Sequence, residues 1–180
     1  MTQPQPVEPS ATAALSDEAL VAAAQAARRH AYAPYSQFSV GAVVQTRSGR
    51  FYTGCNIENA SFGLTVCAER VALFKALSEG ERAFRAVIIA TEAATPTPPC
   101  GACRQILWEF CGDIRVISVG WQGATAEWPL GALLPAAFDA LSLPARQSAE
   151  ASAPPPRTQR RKRSGRRVRE SAAASGRAAR

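Results

Sequence analysis

A chain of 180 residues with 47% hydrophobic content is long enough for one ordinary domain with a packed core and too short for two. No apolar run approaches the roughly 18 residues of a membrane span, and residues 1–10 have neither the basic start nor the apolar stretch of a secretory signal, so the expectation is a soluble, cytoplasmic protein with no membrane partner. The formal net charge of +7 is not a nucleic-acid footprint of the main body: residues 151–180 hold ten Lys or Arg and one acid, which leaves 11 basic and 13 acidic residues before them.

Residues 1–14 read as a disordered lead. Ser16-Asp17-Glu18 then caps an Ala-rich helix that should run to about His30, with its carboxylates in the first turn where they complement the helix dipole. Tyr32 to Ser36 is a loop around Pro34. Phe38, Val40, Ala42 and Val44 alternate as in a strand, Ser48-Gly49 turns the chain, and Arg50 to Asn56 returns with Phe51, Thr53 and Cys55 on one face. A second helix is expected from about Val66 to Glu79, stopped by Gly80, followed by a short buried strand over Ala86 to Ala90. After a Pro- and Thr-rich loop a third helix starts at Cys100 or Gly101 and ends by Gly112. Ile114 to Val119 and, more weakly, Ala124 to Trp128 read as strands, and Leu130 to Phe138 as a last helical turn or two.

Strands alternating with helices point to an α/β domain spanning residues 15–143, a sheet covered by helices. Beyond Pro144 the composition collapses to Ala, Ser, Pro and Arg without periodicity, which predicts a disordered Arg-rich tail over 144–180.

Five cysteines in such a chain suit metal binding better than a disulfide framework. Cys55 and Cys111 lack spaced partners and read as core fillers. Cys100 and Cys103 are spaced to put two sulfurs on one ion at a helix start, and Cys67, opening another helix, supplies a third. A helix N-terminus favours the thiolate that Zn²⁺ requires. Three ligands leave one tetrahedral position for water, which marks a catalytic rather than a structural zinc. The competing closed site, completed by His30 or another Cys, lacks the second paired motif such sites carry. Glu69, two residues after Cys67, is placed for proton exchange with that water.

Cys67-Ala68-Glu69-Arg70 followed about thirty residues later by Pro99-Cys100-Gly101-Ala102-Cys103-Arg104-Gln105 resembles the zinc deaminase signature. With Tyr32-Ala33-Pro34-Tyr35-Ser36, Val40-Gly41-Ala42 and Gly54-Cys55-Asn56-Ile57-Glu58-Asn59-Ala60-Ser61, it is similar to the small, homotetrameric cytidine deaminases across nearly all of residues 18–143. The resemblance implies a three-layer α/β/α fold with a mixed sheet of about five strands, one zinc per subunit on Cys67, Cys100 and Cys103, and Glu69 as the proton carrier for attack at C4 of a cytosine nucleoside. Three thiolates give the site a net negative charge, for which Arg70 is the compensating cation. The resemblance further makes Asn56 and Glu58 ribose binders, with Glu58 accepting bidentately from sugar hydroxyls. It makes Phe38 a base-packing aromatic and Phe138 a residue reaching into a neighbouring subunit's site. Phe62, also counted among the substrate-binding residues, stands where relatives often carry Tyr. The expected activity is deamination of cytidine and 2′-deoxycytidine in pyrimidine salvage. Deamination of another cytosine nucleoside, of the blasticidin type, is the nearest alternative. A nucleic-acid-directed deaminase using the basic tail, or loose nucleic-acid binding by that tail, is a more distant one.

Overall fold

The computed structural model describes residues 15–143; the expected lead (1–14) and tail (144–180) lie outside the described residues. The described elements run α1 (Asp17–Arg28), β1 (Val40–Thr46), β2 (Phe51–Cys55), α2 (Ala68–Ser78), β3 (Phe84–Thr91), α3 (Gly101–Cys111), β4 (Arg115–Val119), β5 (Thr125–Pro129) and α4 (Leu130–Leu133). Single 3₁₀ turns cover Phe62–Leu64 and Ala140–Ser142.

The five strands form one sheet in the order β2-β1-β3-β4-β5. Only β3 and β4 pair in parallel, joined by α3, and the other neighbours are antiparallel, so the sheet is mixed as expected. One face packs on α1 through Leu20, Ala24, Val43, Ala86, Ile88 and Val119. The other packs on α2 and α3 through Val44, Ala72, Leu73, Val87, Ile89 and Leu107. This is the three-layer arrangement, with two apolar cores.

The helices end where local chemistry dictates. The Ser16 hydroxyl accepts from the Ala19 N–H to cap α1. At the end of α2, Gly80 adopts φ +93° while its N–H donates to Leu77 O and the Glu81 N–H to Ala76 O, the paired bonds of a Schellman cap.

Two expectations are corrected. The first strand begins at Val40, not Phe38, and from Gly41 to Thr46 every residue is buried. The alternation seen in the sequence carries no in/out meaning here, because helices cover both faces of this central strand. The last helix is four residues long and stops at Leu133, well short of Phe138.

α2 carries the residues of the site, and small residues let it approach the sheet. Ala68, Ala72 and Ala76, spaced by four, are fully buried on its inner face. Opposite them, a Cβ at Gly54 would lie 2.5 Å from both Ala68 O and Ala72 N. Gly54→Ala must therefore push the helix off the sheet, and the expected cost is about 1–3 kcal/mol in a denaturant titration. An unchanged midpoint would show that the helix seat tolerates a methyl group.

Candidate active site

The first turns of α2 and α3 lie beyond the carboxyl ends of β2 and β3, where α/β domains commonly gather their ligands. Cys67 is the N-cap residue of α2 and Cys100 that of α3, and Cys103 is buried in the first turn of α3. The three sulfurs lie within 4.8 Å of one another, with Cys67 Sγ and Cys100 Sγ 3.9 Å apart. With Zn–S bonds of about 2.3 Å, a tetrahedral site needs sulfurs about 3.8 Å apart, so the donor set and its spacing fit zinc.

The electrostatics at Cys67 suit the same ion. Hydrogen bonding from the Cys103 thiol, assisted by Arg70, brings the Cys67 thiol down to about 5, and that same bond holds the Cys103 thiol protonated well above its ordinary value. Arg70 Nη2 donates to Thr65 O at 2.9 Å and lies 3.5 Å from Cys67 Sγ. The guanidinium thus sits against one of the sulfurs.

Glu69, in the first turn of α2, is 5% exposed, and burial pushes its carboxyl up to about 7. It lines a cavity of about 290 Å³ together with Cys67, Cys100, Phe38, Asn56 and Glu58. That size lies near the lower end of small-molecule pockets, roughly 300–1,000 Å³.

The match to known proteins agrees with this geometry. Residues 15–120 match the family model for the cytidine and deoxycytidylate deaminase zinc-binding region. The chain belongs to that deaminase family. It is 46% identical over 122 residues to the cytidine deaminase of Sporosarcina psychrophila, covering 67% of this chain and 90% of that protein. It is 49% identical over 122 residues to the cytidine deaminase of Halalkalibacterium halodurans, covering 67% and 92%. The crystal structure of cytidine deaminase from Burkholderia pseudomallei superposes with a TM-score of 0.67 at 47% identity, covering 69% of this chain and all of that one.

Within this deaminase fold the remaining expected residues separate into two groups. Phe38, Asn56 and Glu58 are brought to the cavity. Asn56 is also part of the framework, since Oδ1 accepts from the Val40 N–H at 2.8 Å and Nδ2 donates to Phe38 O at 2.9 Å. Glu58 Oε2 accepts from the N–H groups of Tyr35 (2.9 Å) and Ser36 (3.2 Å), and Oε1 from the Ser36 hydroxyl. These bonds, the Ser36 hydroxyl foremost, hold the Glu58 carboxyl below its ordinary value. Three of the roughly four acceptor positions of a carboxylate are then filled. Among these bonds one acceptor position, on Oε1, is left open.

Phe62 and Phe138 do not line the cavity that Glu69 lines. Phe62 is 72% exposed, packs edge-on against Tyr35 with ring centroids 5.7 Å apart, and borders an outer hollow that shares Ser36 and Glu58. Phe138 is exposed, and its carbonyl accepts from Gln105 Nε2 at 2.7 Å.

Sequence reasoning missed what Arg104 and Gln105 do. Arg104 Nε donates to Pro99 O and Nη1 to Leu133 O, so together with Gln105 it fastens the segment after α4 to the helix that bears Cys103. Their place directly after the Cys100 and Cys103 pair was visible; their partners, up to 33 residues away, were not. Cys55 and Cys111 stand apart from the site, and burial pushes both thiols up, Cys111 to about 12, as suits space-filling residues.

Proposed function

We propose that this chain hydrolytically deaminates cytidine and 2′-deoxycytidine to uridine and 2′-deoxyuridine, with release of ammonia. The observation that carries this reading is a buried Glu69 beside three converging cysteine sulfurs at one nucleoside-sized cavity. Cys67, Cys100 and Cys103 would hold the zinc, whose Lewis acidity makes water a competent nucleophile at neutral pH.

The chain's own residues do the rest. Glu69 takes a proton from the attacking water at a carboxylate oxygen and delivers it to ring N3, then takes the remaining proton of the added oxygen and hands it to the amine, which leaves C4 as ammonia. Because burial brings its carboxyl near neutrality, it can both accept and release that proton. Arg70 offsets the negative charge of the thiolates. Phe38 presents an apolar surface for the base.

Asn56 keeps one N–H and Glu58 one acceptor position after their framework bonds, so the pair suits one hydroxyl that accepts from the first and donates to the second. A site that grips a single sugar hydroxyl has no need to separate ribose from deoxyribose. Assembly as a homotetramer is supported by the exposure of Phe62, Leu64 and Phe138, at 72%, 68% and 61%, which suits faces closed by other copies. A cytoplasmic place in pyrimidine salvage accords with this chemistry. Among the described residues no helix is long and apolar enough to cross a membrane.

The direct test follows loss of the cytidine absorbance band with ammonia measured in parallel. Conversion to uridine with one ammonia per turnover supports the reading, and zinc-loaded protein that leaves cytidine untouched overturns it. In the same assay Glu58→Ala should raise KM for cytidine about 10- to 100-fold, as expected for losing a hydrogen bond to a charged group, and leave KM for free cytosine unchanged. Equal changes for both substrates would remove Glu58 from sugar binding.

A further inference from the structure

We infer that Ser36 is the positioning residue that turns Glu58 into a sugar receptor, and so sets the preference of this site for nucleosides that carry ring hydroxyls. The inference rests on the deaminase reading above and deepens it. Ser36 lies 22 residues before Glu58 and is held in a turn where the Gln37 N–H donates to Ala33 O and Gln37 itself adopts φ 54°. A non-glycine residue in that left-handed region costs conformational energy, so the surrounding contacts hold this turn in one shape.

The hydroxyl of Ser36 makes two bonds. It accepts from the Phe38 N–H at 3.1 Å and donates to Glu58 Oε1, tying the residue that faces the base to the carboxylate that faces the sugar. The division of labour at Glu58 makes this bond decisive. Both backbone donors, Tyr35 N–H and Ser36 N–H, go to Oε2. Within this turn, only the Ser36 hydroxyl grips Oε1, the oxygen with the open acceptor position. Without it the carboxylate still hangs from Oε2 but pivots, and Oε1 no longer stands at a fixed distance from Asn56. A donor and an acceptor that must meet one hydroxyl together lose their register, even though the fold and the cysteine cluster are untouched. Ser36 is itself exposed, so a hydroxyl-bearing Thr has room there.

The test compares wild type, Ser36→Ala, Ser36→Thr, Glu58→Ala and the Ser36→Ala/Glu58→Ala double variant on cytidine and on 2′,3′-dideoxycytidine, which lacks both ring hydroxyls. Ser36→Ala should raise KM for cytidine about 10- to 100-fold, with kcat changed by less than about threefold and the dideoxy substrate spared. Ser36→Thr should restore the cytidine KM, and Ser36→Ala should add nothing in the Glu58→Ala background, because the two act as one unit. Equal losses on both substrates, a loss that persists without Glu58, or no loss at all would overturn the inference. If wild type converts no cytidine, the deaminase reading fails first and takes this one with it.

Discussion

Glu69→Gln is expected to lower kcat for cytidine by about 10³- to 10⁴-fold, the upper part of what a positioned acid–base group contributes, because the proposed mechanism passes the protons for both N3 and the leaving amine through this one side chain. The substitution is chosen for what it leaves alone. Glu69 is buried at the start of α2, so Ala would open a cavity beside Cys103, whereas Gln keeps the shape. Desolvation already disfavours the charged form of Glu69, so a neutral amide should leave the melting temperature and the zinc content close to wild type. Binding of the nucleoside should survive too, since Phe38, Asn56 and Glu58 reach the cavity from elements other than α2. The expected protein is folded, metal-loaded, able to bind cytidine and unable to convert it. Retention of more than about a hundredth of wild-type kcat would assign the proton transfer to another group.

What could be read from the sequence, and what could not, divides along physical lines. Cys67 and Glu69, and Cys100 and Cys103, are close in sequence, and a helix start places such neighbours by local geometry alone. The existence of each strand was likewise legible, because β-branched runs bounded by turns are local signals. The two-faced burial of β1 was not, since it depends on α1 covering one side and α2 the other. Gly41 and Gly54 look like ordinary strand interruptions, yet a Cβ on Gly41 would sit 2.1 Å from Ala24 O and one on Gly54 2.5 Å from Ala68 O. Only the docked helices give those glycines their meaning. Glu58 was picked out by type and place, but the sequence offered no count of its lone pairs. That count needed the turn at Tyr35 and Ser36 in three dimensions, where those two residues take up three acceptor positions of the carboxylate.

Cys103→Ala is expected to abolish detectable turnover and to weaken zinc retention by well over 100-fold, more than the 10- to 100-fold lost with a supporting partner of a metal ligand. Two remaining thiols cannot make the three-sulfur set, and Cys103 is the member held most rigidly, being fully buried in the first turn of α3 while Arg104 and Gln105 fasten that turn to Pro99, Leu133 and Phe138. The loss should be visible without any activity assay. Zinc per chain after passage through a chelator should fall to background, and Cys67 and Cys100 should become reactive toward a thiol probe that metal-loaded wild type resists. Cys111→Ala is the matched control, because it also removes a thiol from α3, one that burial keeps protonated at neutral pH. It should lose some stability through lost packing and keep its zinc. If both variants lost metal alike, the effect would belong to the integrity of α3; if Cys103→Ala kept zinc and turnover, the ion would lie somewhere other than on Cys67, Cys100 and Cys103.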